Sequence, residues 1–188
     1  KNTEYLIDTI HSQSQHTPTF NDDENLNEMS INLNNFNHPV KCLIWGIQNE
    51  GTQGSNKGQG PCYFTSMTNN SLYGSDGTNG SATLLFNEKK YFSESTIFFT
   101  RINTNKYCNN IPPLDRIGIY SFALNPFSIE PSGILNFSRV SSHKSNKELR
   151  LTLSNNNLNT IKYQMLYIFA ISYNILKISN GTAALLYN

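Results

Sequence analysis

Residues 166–178, LYIFAISYNILKI, place the tightest constraint on the fold. The run is apolar on both sides of an extended chain, as in a strand buried on two faces or in a buried helix, and its β-branched and aromatic content selects the strand. It is long enough to cross a whole sheet. VKCLIWGI, residues 40–47, has the same two-sided character. Elsewhere the apolar positions recur with period two, the mark of strands with one buried face. Met29, Ile31 and Leu33 alternate with Ser30, Asn32 and Asn34. Ile117, Ile119, Ser121 and Ala123 lie opposite Gly118, Tyr120, Phe122 and Leu124, and Leu149, Leu151 and Leu153 alternate with Arg150 and Thr152. About six to eight strands with long loops and no fixed repeat predict an all-β chain, a β-sandwich of the jelly-roll kind.

At 188 residues the chain suits one domain with a sizeable core. Between Gln48 and Ala82 it is dense in Gly, Ser, Asn and Thr, so 49–82 is expected to be a long surface loop. Asn103–Pro113 reads as a shorter polar connection. A short helix is expected near 92–100, with Ser93 as N-cap and Phe92 before it.

Charge excludes more than it suggests. Only 14% of residues are charged and the formal net charge is +1, against about 25% charged in an ordinary soluble domain. The basic residues are scattered, which supplies no footprint for nucleic acid or an anionic membrane. The longest strongly apolar run, Met165–Ile171, is too short to cross a bilayer, so no membrane insertion is expected. Cys42, Cys62 and Cys108 form no CxxC pair and read as free thiols, Cys42 as inert packing within an apolar strand.

A search for reactive constellations returns little. Some jelly rolls are metal-dependent enzymes of the cupin type, whose ligands converge from neighbouring strand positions, typically as HxH. His11, His16, His38 and His143 form no such pair and fall outside the strands drawn above. No GxSxG elbow occurs, and Lys57 precedes Gly58 without the spacing of a phosphate-binding loop. No catalytic, metal-binding or cofactor-binding residue is therefore assigned, and no cofactor is expected. Of four glycosylation sequons, those at Asn136 and Asn180 fall at a strand and a turn, which leaves Asn69 and Asn79 in the long loop as candidate sugar carriers. A jelly-roll carbohydrate-binding module, with Tyr63, Phe64 and Tyr73 as stacking rings, is the alternative reading of that loop.

Residues 120–140, YSFALNPFSIEPSGILNFSRV, carry the most specific signal. Ser121-Phe122-Ala123-Leu124, Pro126, Pro131-Ser132-Gly133 and Asn136-Phe137-Ser138-Arg139 stand in fixed order and spacing. Read physically, the segment is a strand, a corner and a return. The two prolines withhold amide donors, Gly133 permits a positive φ, Phe137 faces the core and Arg139 stays available to an acceptor. This stretch resembles the most characteristic segment of the major capsid proteins of nucleocytoplasmic large DNA viruses, the double jelly-roll family. Flanking segments resemble the family in the same order: EYLIDTI at 4–10, FNHPVKCLIWGIQ at 36–48, LLFNEKKYFSE at 84–94 and YIFAISYNILKISNGTAALLY at 167–187. Cys42 stands where the family usually has a charged residue, and Phe127-Ser128-Ile129 replaces a more acidic stretch.

The resemblance implies that 1–188 is the C-terminal jelly roll of a tandem pair, lacking its first strand and the preceding N-terminal jelly roll. It further implies a structural protein and not an enzyme, a homotrimer forming pseudo-hexagonal capsomers of an icosahedral shell, and contacts with neighbouring capsomers and minor capsid proteins. Its place would be the virion capsid, assembled in the host cytoplasm.

Overall fold

The computed structural model describes residues 2–16, 28–49, 80–86, 89–109, 117–140, 149–155 and 164–187. Among the described residues ten strands lie in two sheets, and every pairing is antiparallel. In the first sheet the order is β1 (Asn2–His16), β9 (Gln164–Ser179), β3 (Pro39–Asn49) and β6 (Ile117–Ser121). Two short strands join it, β10 (Thr182–Leu185) beside β9 and β7 (Leu135–Asn136) beside β3. The second sheet runs β2 (Glu28–Asn32), β8 (Leu149–Asn155), β4 (Gly80–Phe86) and β5 (Lys89–Ser95). The chain passes back and forth between two such four-strand orders, which is the jelly-roll winding.

The two-sided apolar runs form the middle of the first sheet. Val40, Leu43, Trp45 and Ile47 of β3, with Leu166, Ile168 and Ala170 of β9, turn inward and are buried. They meet Ile31, Ala82 and Leu84 of the second sheet. Trp45 needs its neighbour to be glycine, because a Cβ on Gly118 would lie 2.4 Å from the indole ring. Asn180-Gly181, with φ of 50° and 81°, turns β9 into β10 as a tight hairpin.

Three elements differ in extent from the sequence reading. β1 extends the EYLIDTI segment, 4–10, to Asn2–His16 and takes the edge beside β9, pairing from Asn2↔Ser179 to His16↔Met165. Its polar SQSQH end hid that extension, since an edge strand needs few apolar residues. His11 accordingly lies within a strand. The helix expected near 92–100 forms, but starts after the Ser93 cap and runs further: β5 continues through Ser95, helical backbone begins at Thr96, a π-helical turn spans Phe98–Ile102, and α1 follows at Asn103–Cys108 inside the stretch read as a polar connection. Its buried face is threonine and asparagine. Thr100 donates to the Thr96 carbonyl, Thr104 to that of Thr100, and the Asn103 amide to the Ile119 carbonyl. Such back-bonded threonines carry no helical apolar period. Finally, the ladder carries β3 to Asn49 and begins β4 at Gly80, which trims both ends of the 49–82 loop.

Candidate functional site

Lys41 is the organising residue of the 120–140 corner. β3 changes register against β9 between Val40 and Cys42, so Lys41 occupies a bulge in the central part of the sheet. Its carbonyl accepts the amides of Phe122 at 2.8 Å and Ala123 at 3.3 Å, which bends the chain out of β6 directly after Ser121. Its side chain is wholly buried, with Nζ 3.0 and 2.9 Å from the two carboxylate oxygens of Asp8 and 3.0 Å from the Ser128 carbonyl. The ammonium also lies 4.6 Å from the centre of the Tyr173 ring. One lysine thus ties β1, β3, β9 and the corner together. A lysine this buried needs such compensation, because an unpaired charge out of water is strongly unfavourable. Beside it, burial pushes the Cys42 thiol up to about 12, so it stays protonated at neutral pH.

The corner then closes on itself. Ser121 Oγ donates to the Ala123 carbonyl at 2.6 Å. The Leu124 amide donates to the Ser132 carbonyl and the Asn125 amide to Ser132 Oγ. The Ser128 amide returns to the Asn125 carbonyl. Pro126 is buried within this ring of bonds and Pro131 is exposed outside it. Gly133 has φ of 146°, and a Cβ there would stand 2.6 Å from the Phe122 carbonyl oxygen, so no other residue fits without displacing the corner.

The return half docks on the turn before β3. Asn136 pairs with Pro39, the Phe137 amide donates to the His38 carbonyl, and the His38 amide donates to Ser138 Oγ. Phe137 is fully buried, its ring 5.9 Å from that of Phe122, while Arg139 is exposed on the short helix α2 (Phe137–Val140). His38 itself has a φ of 75° and its ring lies 5.5 Å from that of His11 and 6.1 Å from that of Tyr187. Burial, followed by the nearby His11, lowers its pKa.

Of the residues singled out from sequence, all twelve of the corner motif fall in this one structure. Asn69, Asn79, Tyr63, Phe64 and Tyr73 lie outside the described residues. Among the described residues no group of three His, Cys, Asp or Glu could hold a metal ion. Sequence reading missed Asp8 and Lys41. Their only sequence signal is a lysine set inside an otherwise apolar strand run.

A family profile described as large eukaryotic DNA virus major capsid protein matches residues 1–184. The chain belongs to that capsid protein family. Two relatives from the same family cover almost all of it. The major capsid protein of Paramecium bursaria Chlorella virus 1 is 30% identical, over 98% of this chain and 48% of its own length. That of Pyramimonas orientalis virus is 30% identical, over 98% of this chain and 43% of its own. This capsid-family chain therefore spans less than half the length of either relative. The fold agrees with solved capsid structures. A quasi-atomic model of the PBCV-1 virus capsid superimposes with a TM-score of 0.70 at 24% identity, over 100% of this chain and 52% of that one. The Faustovirus major capsid protein gives 0.61 at 14% identity, over 94% and 34%.

Proposed function

We propose that this chain is a shell-building module: one jelly roll of a major capsid protein that self-associates into trimeric, pseudo-hexagonal capsomers of an icosahedral virus shell. The observation that carries the reading is the family match over residues 1–184, supported by agreement of the fold with a quasi-atomic model of the PBCV-1 virus capsid at a TM-score of 0.70 over 100% of the chain. Since the match covers 52% of that capsid chain, a second, preceding jelly roll belongs to the proposal. So do contacts with neighbouring capsomers and minor capsid proteins, location in the virion, and assembly in the host cytoplasm. The role is structural, not enzymatic: the Ser121, Ser132 and Ser138 hydroxyls hold backbone, and Lys41 is bonded to Asp8 and Ser128. The work such a chain does is to present fixed surfaces to its neighbours.

An antibody raised against the 188-residue chain is expected to label the surface of intact or partly opened virions at regular spacing. Native mass spectrometry of the labelled antigen, released gently from particles, is expected to give a three-chain mass. An antigen found in infected cells but absent from particles would overturn the reading.

A further inference from the structure

After the Asn180-Gly181 turn the chain lies along β9 as a strap. β10 pairs from Thr182↔Ser179 to Leu185↔Leu176, and every residue from Asn180 to Tyr187 is exposed. Polar bonds tie down its far end. The Leu186 amide donates to the Ile175 carbonyl at 2.8 Å. The Asn174 side chain holds Tyr187 twice, donating from Nδ2 to its carbonyl at 2.8 Å and accepting its amide at Oδ1 at 3.3 Å. Asn174 is only 2% exposed, a buried amide under a strap that is itself in water. The Tyr187 ring then reaches His38, with ring centres 6.1 Å apart, and the His38 ring stands 5.5 Å from that of His11. His11 faces inward on β1. It lies opposite buried Ala170 and on the same face as Thr9, whose hydroxyl is 3.1 Å from that of buried Ser172.

We infer that the His11–His38 pair is an acid-sensitive latch on this strap: when both rings take a proton, the segment from Thr182 to Tyr187 lets go of β9 while the two sheets stay folded. The inference is independent of the capsid reading. Imidazole is the side chain that changes charge between pH 5 and 8, and here two such groups meet without a counter-charge. Among the described residues no hydrogen bond or ion pair joins either ring to a carboxylate; His11 Nε2 has the Thr9 hydroxyl at 3.5 Å, and His38 bonds through its backbone. The charges of the surrounding elements are engaged elsewhere. Glu4 and Asp8 alternate onto the opposite face of β1 from His11, where they pair with Lys177 and Lys41. Arg139 of α2 is exposed, Ser172 and Asn174 of β9 are uncharged, and the strap brings only the Tyr187 phenol. Neither histidine has room to retreat. His38 is fixed at φ 75° by the Ser138 and Phe137 bonds, and β1 is laddered to β9 along its 15 residues. The strap, with four paired residues, is held less firmly than either. Burial is the largest cause lowering the His38 pKa, with His11 next, and lifting Tyr187 relieves the first and lets water screen the second. A tyrosine ring also attracts cations, but at 6.1 Å and a 44° tilt Tyr187 stands at the outer limit of that attraction, so hydration prevails. Since the open strap binds a proton more readily than the closed one, opening grows as pH falls below the ordinary histidine value of 6.5. Release leaves β9 from Leu176 to Ser179 paired on one side only.

The test is native-state hydrogen exchange on the 188-residue chain, with intrinsic rates divided out. Protection of the Leu186 and Tyr187 amides is expected to fall about tenfold between about pH 7.5 and pH 5. Their exchange should ignore low urea, whereas that of Leu43 and Trp45 should quicken with it, which separates strap opening from unfolding. Strap protection that is equal at both pH values overturns the inference, and so does a strap that opens only with the urea dependence of the core. In His11→Gln and His38→Gln the acid loss should shrink to less than about twofold; a tenfold loss kept in both variants would mean that another group drives the opening. Should a variant misfold, the wild-type chain decides by NMR: the two imidazoles should titrate with coupled, broadened curves and the Tyr187 ring signals should move with them. Ring signals of Tyr187 that ignore the histidine titrations would sink the latch.

Discussion

The two halves of β3 are held in opposite ways. From Leu43 to Ile47 the strand is fixed by packing: Trp45 lies against Phe99 with ring centres 5.3 Å apart and over the bare backbone of Gly118. From Pro39 to Cys42 it is fixed by polar bonds, from the Lys41 ammonium and carbonyl and from the His38–Ser138 and His38–Phe137 pairs. Packing is non-directional and determines only which face turns inward. The polar half specifies where an irregular segment of some twenty residues must lie, something a greasy contact does poorly.

Four measurements would break or sharpen that contrast. The largest effect is expected at the packed half: Trp45→Ala should cost about 4 kcal/mol in urea-induced unfolding, from lost burial and the cavity left behind. Next comes the polar half. Asp8→Asn leaves a buried ammonium short of its counter-charge and should cost about 3 kcal/mol, the low end for a broken buried pair because Asp8 is partly solvated. Adding Lys41→Met to that variant should recover most of the loss, and a double variant no better than Asp8→Asn alone would show that the lysine does more than neutralise Asp8. Gly133→Ala should cost about 2 kcal/mol, through a φ that side chains avoid and the clash with the Phe122 carbonyl. Hydrogen exchange should locate that loss at Leu124 and Asn125, with β9 amides unaffected. The smallest effect is the pH response of His38. Its folded pKa is lowered from 6.5, so the folded state binds fewer protons than the unfolded one. Stability is then full above about pH 6.5 and declines as pH falls below it. Thermal melts across pH 5–8 should show this slope, and His38→Gln should remove it.

The packed half was legible from residues alone, and the polar half was not. β3 and β9 declared themselves because a strand covered on two faces writes both faces in apolar residues, and the Asn180-Gly181 turn because few residue pairs take two positive φ values. The corner motif was visible as a string. What it holds was hidden, since Lys41 meets Asp8 and Ser128 across 33 and 87 positions of sequence. A lysine next to an apolar run reads as a solvated edge charge until the bulge at Val40/Cys42 is known, and that bulge depends on how β3 fits β9. The bounds of the helix were hidden for a related reason: Thr100 and Thr104 favour extended chain locally and are helical because their hydroxyls bond backward, to the Thr96 and Thr100 carbonyls, once Phe99 is seated in the core.

The place of β9 sets an order in time. It stands between β1 and β3 in the first sheet, yet begins only at Gln164. A chain emerging from the ribosome carries the flanks of that sheet long before its centre, and β1, which pairs with β9, gains its partner in the sheet only when the last long strand has been made.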